Sequence, residues 1–238
     1  MKFGFLSSNI LKIVACISML LDHIGFIFFP QYIIFRILGR IAFPIFAVMI
    51  AEGCYYTKNK LKRLLVMSSF ALIMQIGLYM FTGMTDFNIF IHFSLSIIVI
   101  YLIDYIEEKI KNKQLIFAII TTLVTILLLA YLYWFSENYN YLYSNYGIFA
   151  IIMPVVLYVI KKYLPNINHI VCVPVICIFM YLMLLKIKFP YQLFGMLSCL
   201  FIILYNGKKG KLNLKYLFYI FYPLHFIILY GIQMLIGG

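Results

Sequence analysis

Apolar runs strung almost end to end are what most limit how this chain can fold. Nine of them, at 10–30, 34–54, 64–82, 88–106, 115–134, 143–160, 167–185, 190–206 and 216–236, are each long enough to cross ~30 Å of hydrocarbon at ~1.5 Å per helical residue. The gaps between them are short, so no separate soluble domain fits. Residues 1–238 therefore read as one integral membrane domain, an all-α polytopic helical bundle of about nine spans in contact with a lipid bilayer. Only 11% of residues are charged and mean hydropathy is +1.04, whereas soluble domains carry about 25% charge. The first run continues past Phe28 with Asp22 and His23 inside it. That is too long for the core of a cleavable signal peptide, and the run is expected to remain as a span.

Net charge is +12, from 19 basic and 7 acidic residues. The basic residues fall in gaps between apolar runs, which fits loop placement on one side of a membrane rather than nucleic-acid binding. The gaps "YYTKNKLKR" (55–63), "EEKIKNKQ" (107–114), "KKY" (161–163) and "GKKGKLNLK" (207–215) alternate with poorly charged ones, of which only "KIKF" (186–189) is basic. This pattern predicts a cell-membrane protein with its N-terminus in the cytoplasm and its C-terminus outside. The five cysteines lie in or beside apolar runs, form no CxxC pair and read as small buried residues. No metal-ligand spacing is present. The tyrosines of "ENYNYLYSNY" (137–146) suit an interfacial aromatic belt.

Ionisable groups inside such runs are costly and mark either function or an internal pair. Asp22 and His23 stand about 18–20 Å along the first span, in its outer half, and point about 100° apart. Each is free to face a different neighbouring helix. Arg36 and Arg40, in "FRILGRIAFPIF", share a helix face; Arg40 lies near the depth of Asp22, which predicts an Asp22–Arg40 pair, either structural or functional. Arg36 is expected to snorkel to the interface. Gly39 permits close packing there, and Pro44 loosens the backbone beneath. Asn88 and His92 are four residues apart, with Ser96 continuing their face. Glu52, near the inner end of the second span, either packs the helix, bridges to Lys58 or Arg63, or lines an inner entrance. His225 lies about 14 Å into the last span, deeper than this cluster and two residues after Pro223. His169 is expected at an interface. An imidazole beside carboxylate and guanidinium groups suits either acid–base catalysis or a proton relay.

"LKIVACISMLLDHIG", followed by "RILGRIAFPIFAVMIAEGCYYTKNKLKRLL", resembles the TraX family, whose founding kind is a membrane acetyltransferase acting on the N-terminus of conjugative pilin. The DHIG, GR-x-AFP-x-F and AEG elements carry the resemblance over the first 65 or so residues. Asn88 and the closing "YIFYPLHFIILYGI" extend it, whereas residues 110–215 match in hydropathy only. Where family members tend to place Phe-Thr after the asparagine segment, this chain has Phe90, Ile91 and His92.

The resemblance implies acyl transfer from acetyl-coenzyme A to an envelope or surface acceptor, a peptide N-terminus or a glycan. Its polar positions are Asp22, His23, Arg40, Glu52, Asn88 and His225. On this expectation His23 is the general base, Asp22 sets its tautomer or pairs with Arg40, and Arg40 stabilises the oxyanion. His225 is either a second candidate base or a donor contact. Glu52, Asn88 and His92 are candidates for holding the donor. The competing expectation is a small secondary transporter using Asp22, His23 and Arg40 as a proton relay.

Overall fold

A computed structural model describes residues 4–83, 85–138, 146–165, 169–187, 190–211 and 214–236; the side chains of 81, 82, 187 and 215–219 are outside the description. The described residues are helical, with a single isolated bridge between Leu6 and Tyr205. Six helices among them are long and apolar enough to cross a membrane. The protein is thus a multi-pass membrane protein built as an all-α bundle. Two further apolar helices, Pro190–Ile203 and Ile220–Ile236, are shorter.

Local chemistry sets the helix ends. Helix α1 (Ser8–Phe28) is capped by Ser7, which accepts from the Ile10 amide, and Pro30 follows its end. The second apolar run is not continuous. It divides into α2 (Ile33–Gly39) and α3 (Ala42–Tyr56). Pro44 has no amide hydrogen for the carbonyl of residue 40, and Gly39 is a poor helix former, so the helix breaks at Arg40 and Ile41. Helix α4 (Lys60–Thr82) begins on the Asn59 side chain and ends on left-handed Gly83. Helices α5 (Ile89–Lys111) and α6 (Leu115–Asn138) match the fourth and fifth runs.

Helix α7 (Phe149–Tyr163) is shorter than the run expected at 143–160; the tyrosine-rich 137–146 stretch lies largely outside the described residues. The seventh run opens with a 3-10 turn at His169–Val171 and continues as α8 (Cys172–Ile187). The eighth is a 3-10 helix, Pro190–Leu197, followed by a short α9 (Ser198–Ile203). Helix α10 (Lys215–Ile236) contains Pro223.

The chain forms two compact units: 1–49 with 164–238, and 50–163. In the first, α1 packs against α2 and α10, and the 3-10 helix at Pro190–Leu197 packs against α2 and α8. Gly25 lets α1 approach α2 closely, because a Cβ there would overlap the Cβ of Phe35. The start of α1 is stitched to the segment after α9 by Leu6 N donating to Leu204 O (2.9 Å) and Ser8 N to Lys208 O (2.8 Å). His169 packs on Tyr205, ring centroids 4.5 Å apart. In the second unit, α5 is central and contacts α4, α6 and α7. Leu132, Ile148 and Ile151 form a buried cluster there with Phe87 and Phe135 against it. Helix α6 exposes Ile116, Phe117, Ile120, Leu123 and Leu127, a face that lipid covers. The cysteines are free thiols; Cys16, Cys54 and Cys199 are buried, Cys172 and Cys177 partly so.

Candidate functional site

In the first unit, Asp22 and His23 diverge as their adjacency requires. Asp22 turns to α2, where its Oδ1 accepts from Arg40 Nη2 at 3.3 Å and its Oδ2 lies 3.0 Å from Arg36 Nη1. The expected Asp22–Arg40 pair is present. Arg36 does not snorkel away; it shares the same carboxylate. Two arginines four residues apart already lie on one helix face, and a carboxylate opposite that face binds both more favourably than water at the interface binds one. Arg40 is 1% exposed, and Asp22 supplies it a counter-charge. Gly39 makes the approach possible, since a Cβ on it would occupy the space of the Asp22 side chain. Behind the helix break, a Cβ on Gly195 would sit 3.3 Å from the Arg40 carbonyl oxygen.

His23 turns the other way, to α10. Its Nδ1 lies 2.9 Å from Nε2 of His225, 202 residues away in sequence. His225 is therefore not deeper than the cluster, as its position along the last run had indicated, but part of it. Helix α10 runs beside α1, and this brings the two rings level. His225 Nδ1 donates to the carbonyl of Phe221 at 2.9 Å. Aromatic rings wall the pair: Phe226 lies 4.4 Å from His23 by ring centroids, Phe221 stacks on His225 at 5.2 Å, and Tyr222 meets it edge-on at 5.3 Å. His225 is 4% exposed, while His23 is only partly buried. The arrangement thus presents one partly buried imidazole backed by a buried one, beside two guanidiniums that share one carboxylate.

The remaining candidates lie in the second unit. Asn88 caps α5 by accepting from the amides of Phe90 and Ile91, and its Nδ2 donates to the Ala71 carbonyl at 2.9 Å and to Gln75 Oε1 at 3.0 Å. Its amide is committed to joining α4 and α5. His92 is fully buried and donates from Nδ1 to the Asn88 carbonyl at 3.1 Å. Ser96 bonds the carbonyl of Ile151 on α7 at 2.9 Å. Glu52 does not reach Lys58 or Arg63. It sits 4.0 Å from Lys161 Nζ, because Arg63 instead lies flat over Gly53 and reaches the Ile50 carbonyl at 3.4 Å.

Sequence reasoning passed over Asp104. It accepts from Lys60 Nζ at 2.7 Å, Lys162 Nζ at 2.7 Å and the Tyr158 hydroxyl at 2.6 Å, joining α4, α5 and α7. Lys162 also pairs with Glu107. An acid inside the fourth apolar run, in "YLIDYIEEK" before a basic gap, was the available signal. Among the described residues, Arg63 Nε is buried without a hydrogen-bond partner.

The family model described as TraX protein matches residues 7–233, including the 110–215 stretch that carried no motif. Over 94% of this chain and 94% of its own length, the "probable fimbrial assembly protein FimC, serogroup H1" of Dichelobacter nodosus is 25% identical. An uncharacterized protein, RP591, of Rickettsia prowazekii (strain Madrid E) is 42% identical over 52 residues, 22% of this chain and 21% of the relative. No solved structure matches.

Proposed function

Because the chain belongs to the TraX family, whose model it matches over residues 7–233, we propose that it is a membrane-embedded acyltransferase moving an acetyl group from acetyl-coenzyme A to an envelope acceptor. The observation that carries this reading is the His23–His225 contact of 2.9 Å beside the Asp22–Arg36–Arg40 cluster. The assembly name of the Dichelobacter relative favours the N-terminal amine of a fimbrial subunit as acceptor. A surface glycan hydroxyl suits the same chemistry.

When bound, the donor supplies an activated thioester carbonyl. His23 takes the proton of the acceptor amine or hydroxyl on the ring nitrogen not joined to His225, as the new bond to the acyl carbon forms. His23 then returns that proton to the sulfur as the carbon–sulfur bond breaks, so the products are the acetylated acceptor and free thiol. Arg36 and Arg40 carry one net positive charge after pairing with Asp22, and that charge favours a developing oxyanion. The basic gaps of the sequence favour a cytoplasmic N-terminus, on the side where the donor is made.

The experiment is incubation of the purified protein with labelled acetyl-coenzyme A and an envelope extract. Label should appear in one acceptor, and H23A should lower transfer ~10²–10⁴-fold while membrane insertion persists. Near-normal turnover by H23A would remove His23 from its role. Proton movement across sealed liposomes without consumption of donor would favour the relay instead.

A further inference from the structure

The histidine pair has a direction. A carbonyl oxygen only accepts, so the 2.9 Å contact with Phe221 O requires the proton of His225 to sit on Nδ1. A neutral His225 then has a bare Nε2, which must accept. Its neighbour at 2.9 Å, His23 Nδ1, must donate. His23 is left with a lone pair on Nε2, the nitrogen directed away from His225. The reverse tautomer of His225 would set two lone pairs against each other at its Nδ1. A doubly protonated His225 would add a cation to a site where Arg36 and Arg40 already exceed Asp22, inside a wall of Phe221, Tyr222 and Phe226.

We infer that His225 is a positioning residue, anchored on the Phe221 carbonyl, that holds His23 in the Nδ1–H tautomer with Nε2 unprotonated. The role resembles that of a buried carboxylate behind a catalytic imidazole, with one difference. The backing group is neutral, so it fixes the tautomer without adding a negative charge. Once His23 gains a proton, its Nδ1–H still donates to His225 Nε2, and nothing in the pair has to rearrange during the reaction. Only the use of the bare Nε2 as a base rests on the acyltransferase reading; the tautomer itself follows from the hydrogen bonds.

The test uses the full-length protein, labelled with ¹⁵N-histidine and held in lipid nanodiscs. The chain has four histidines, so H92Q and H169Q each remove one set of signals and assign the rest. Nitrogen NMR should show Nδ1 protonated and Nε2 bare on both His23 and His225. In H225Q the glutamine oxygen takes over as acceptor, and His23 should stay in the Nδ1–H form with turnover within ~10-fold of wild type. In H225L the acceptor is gone; His23 should shift towards Nε2–H and turnover should fall ~10²–10⁴-fold. Unchanged His92 and His169 signals report an intact fold. His23 predominantly in the Nε2–H form in wild type, or an unmoved His23 tautomer in folded H225L, overturns the assignment. A wild-type protein with both rings in the Nδ1–H form that transfers no acetyl group upholds the positioning role and overturns the acyltransferase reading.

Discussion

The side chain of Asp22 rests directly on the Cα of Gly39, in the space that any larger residue would fill with its Cβ. The contact continues through Asp22 to Arg36 and Arg40. G39A should push the carboxylate off both guanidiniums. Overpacking of this kind costs about 1–3 kcal/mol. Thermal unfolding in detergent should show the loss, and acetyl transfer should fall at least as far. A G39A protein as stable and active as wild type would mean the contact is slack.

The ion cluster should behave as one unit. D22N leaves Arg40 buried without its counter-charge, an arrangement that costs about 3–5 kcal/mol. R40Q alone leaves Asp22 paired with Arg36 and should cost less. The double variant D22N/R40Q should lose less than the sum of the two, with a coupling of about 1–3 kcal/mol in a double-mutant cycle of unfolding. Strict additivity is the outcome that contradicts a shared cluster.

Much of this site was open to reading in the sequence. Asp22 and His23 stood out as polar neighbours in an apolar run, and helical geometry sends adjacent residues about 100° apart. That was enough to expect one of them on Arg40. The loss of snorkelling by Arg36 was harder to foresee, since reach to the interface and reach to a carboxylate look alike along one helix. The level of His225 was not readable from its own span, because position along a helix says nothing about how far that helix slides past another. The broken second span was half visible in Gly39 and Pro44. The short 3-10 segment after Pro190 was not, because an apolar run looks the same in either winding.

Asn88 is expected to be a joint as much as a ligand. N88A removes the α5 cap and the bonds to Ala71 and Gln75, and should cost about 1–3 kcal/mol. N88D keeps the capping oxygen but cannot donate to Ala71, so it should fall between N88A and wild type. Hydrogen exchange at the first turn of α5 distinguishes the three. Equal protection in N88A and wild type would leave the cap without weight.

Asp104 should govern the second unit's basic end. D104A removes the acceptor that Lys60, Lys162 and the Tyr158 hydroxyl share and leaves Lys162 only its pair with Glu107, and should cost about 1–3 kcal/mol. Trypsin cleavage at Lys58 or Lys60 should accelerate accordingly. D104N, which still accepts hydrogen bonds, should recover part of the protection. A cleavage rate indifferent to both changes would place the strength of the unit elsewhere.

The 202-residue separation of His23 and His225 also has a consequence in time. Asp22 meets its arginines within 18 residues of chain, so the ion cluster is ready soon after α1 and α2 are made. The imidazole pair must wait for nearly all the rest. At a synthesis rate of roughly 5–20 residues per second, that is ~10–40 s in which a nascent chain carries the charges but no paired imidazoles. A ribosome-bound or prematurely ended chain therefore lacks the imidazole pair, which forms as a single late event when α10 docks on α1.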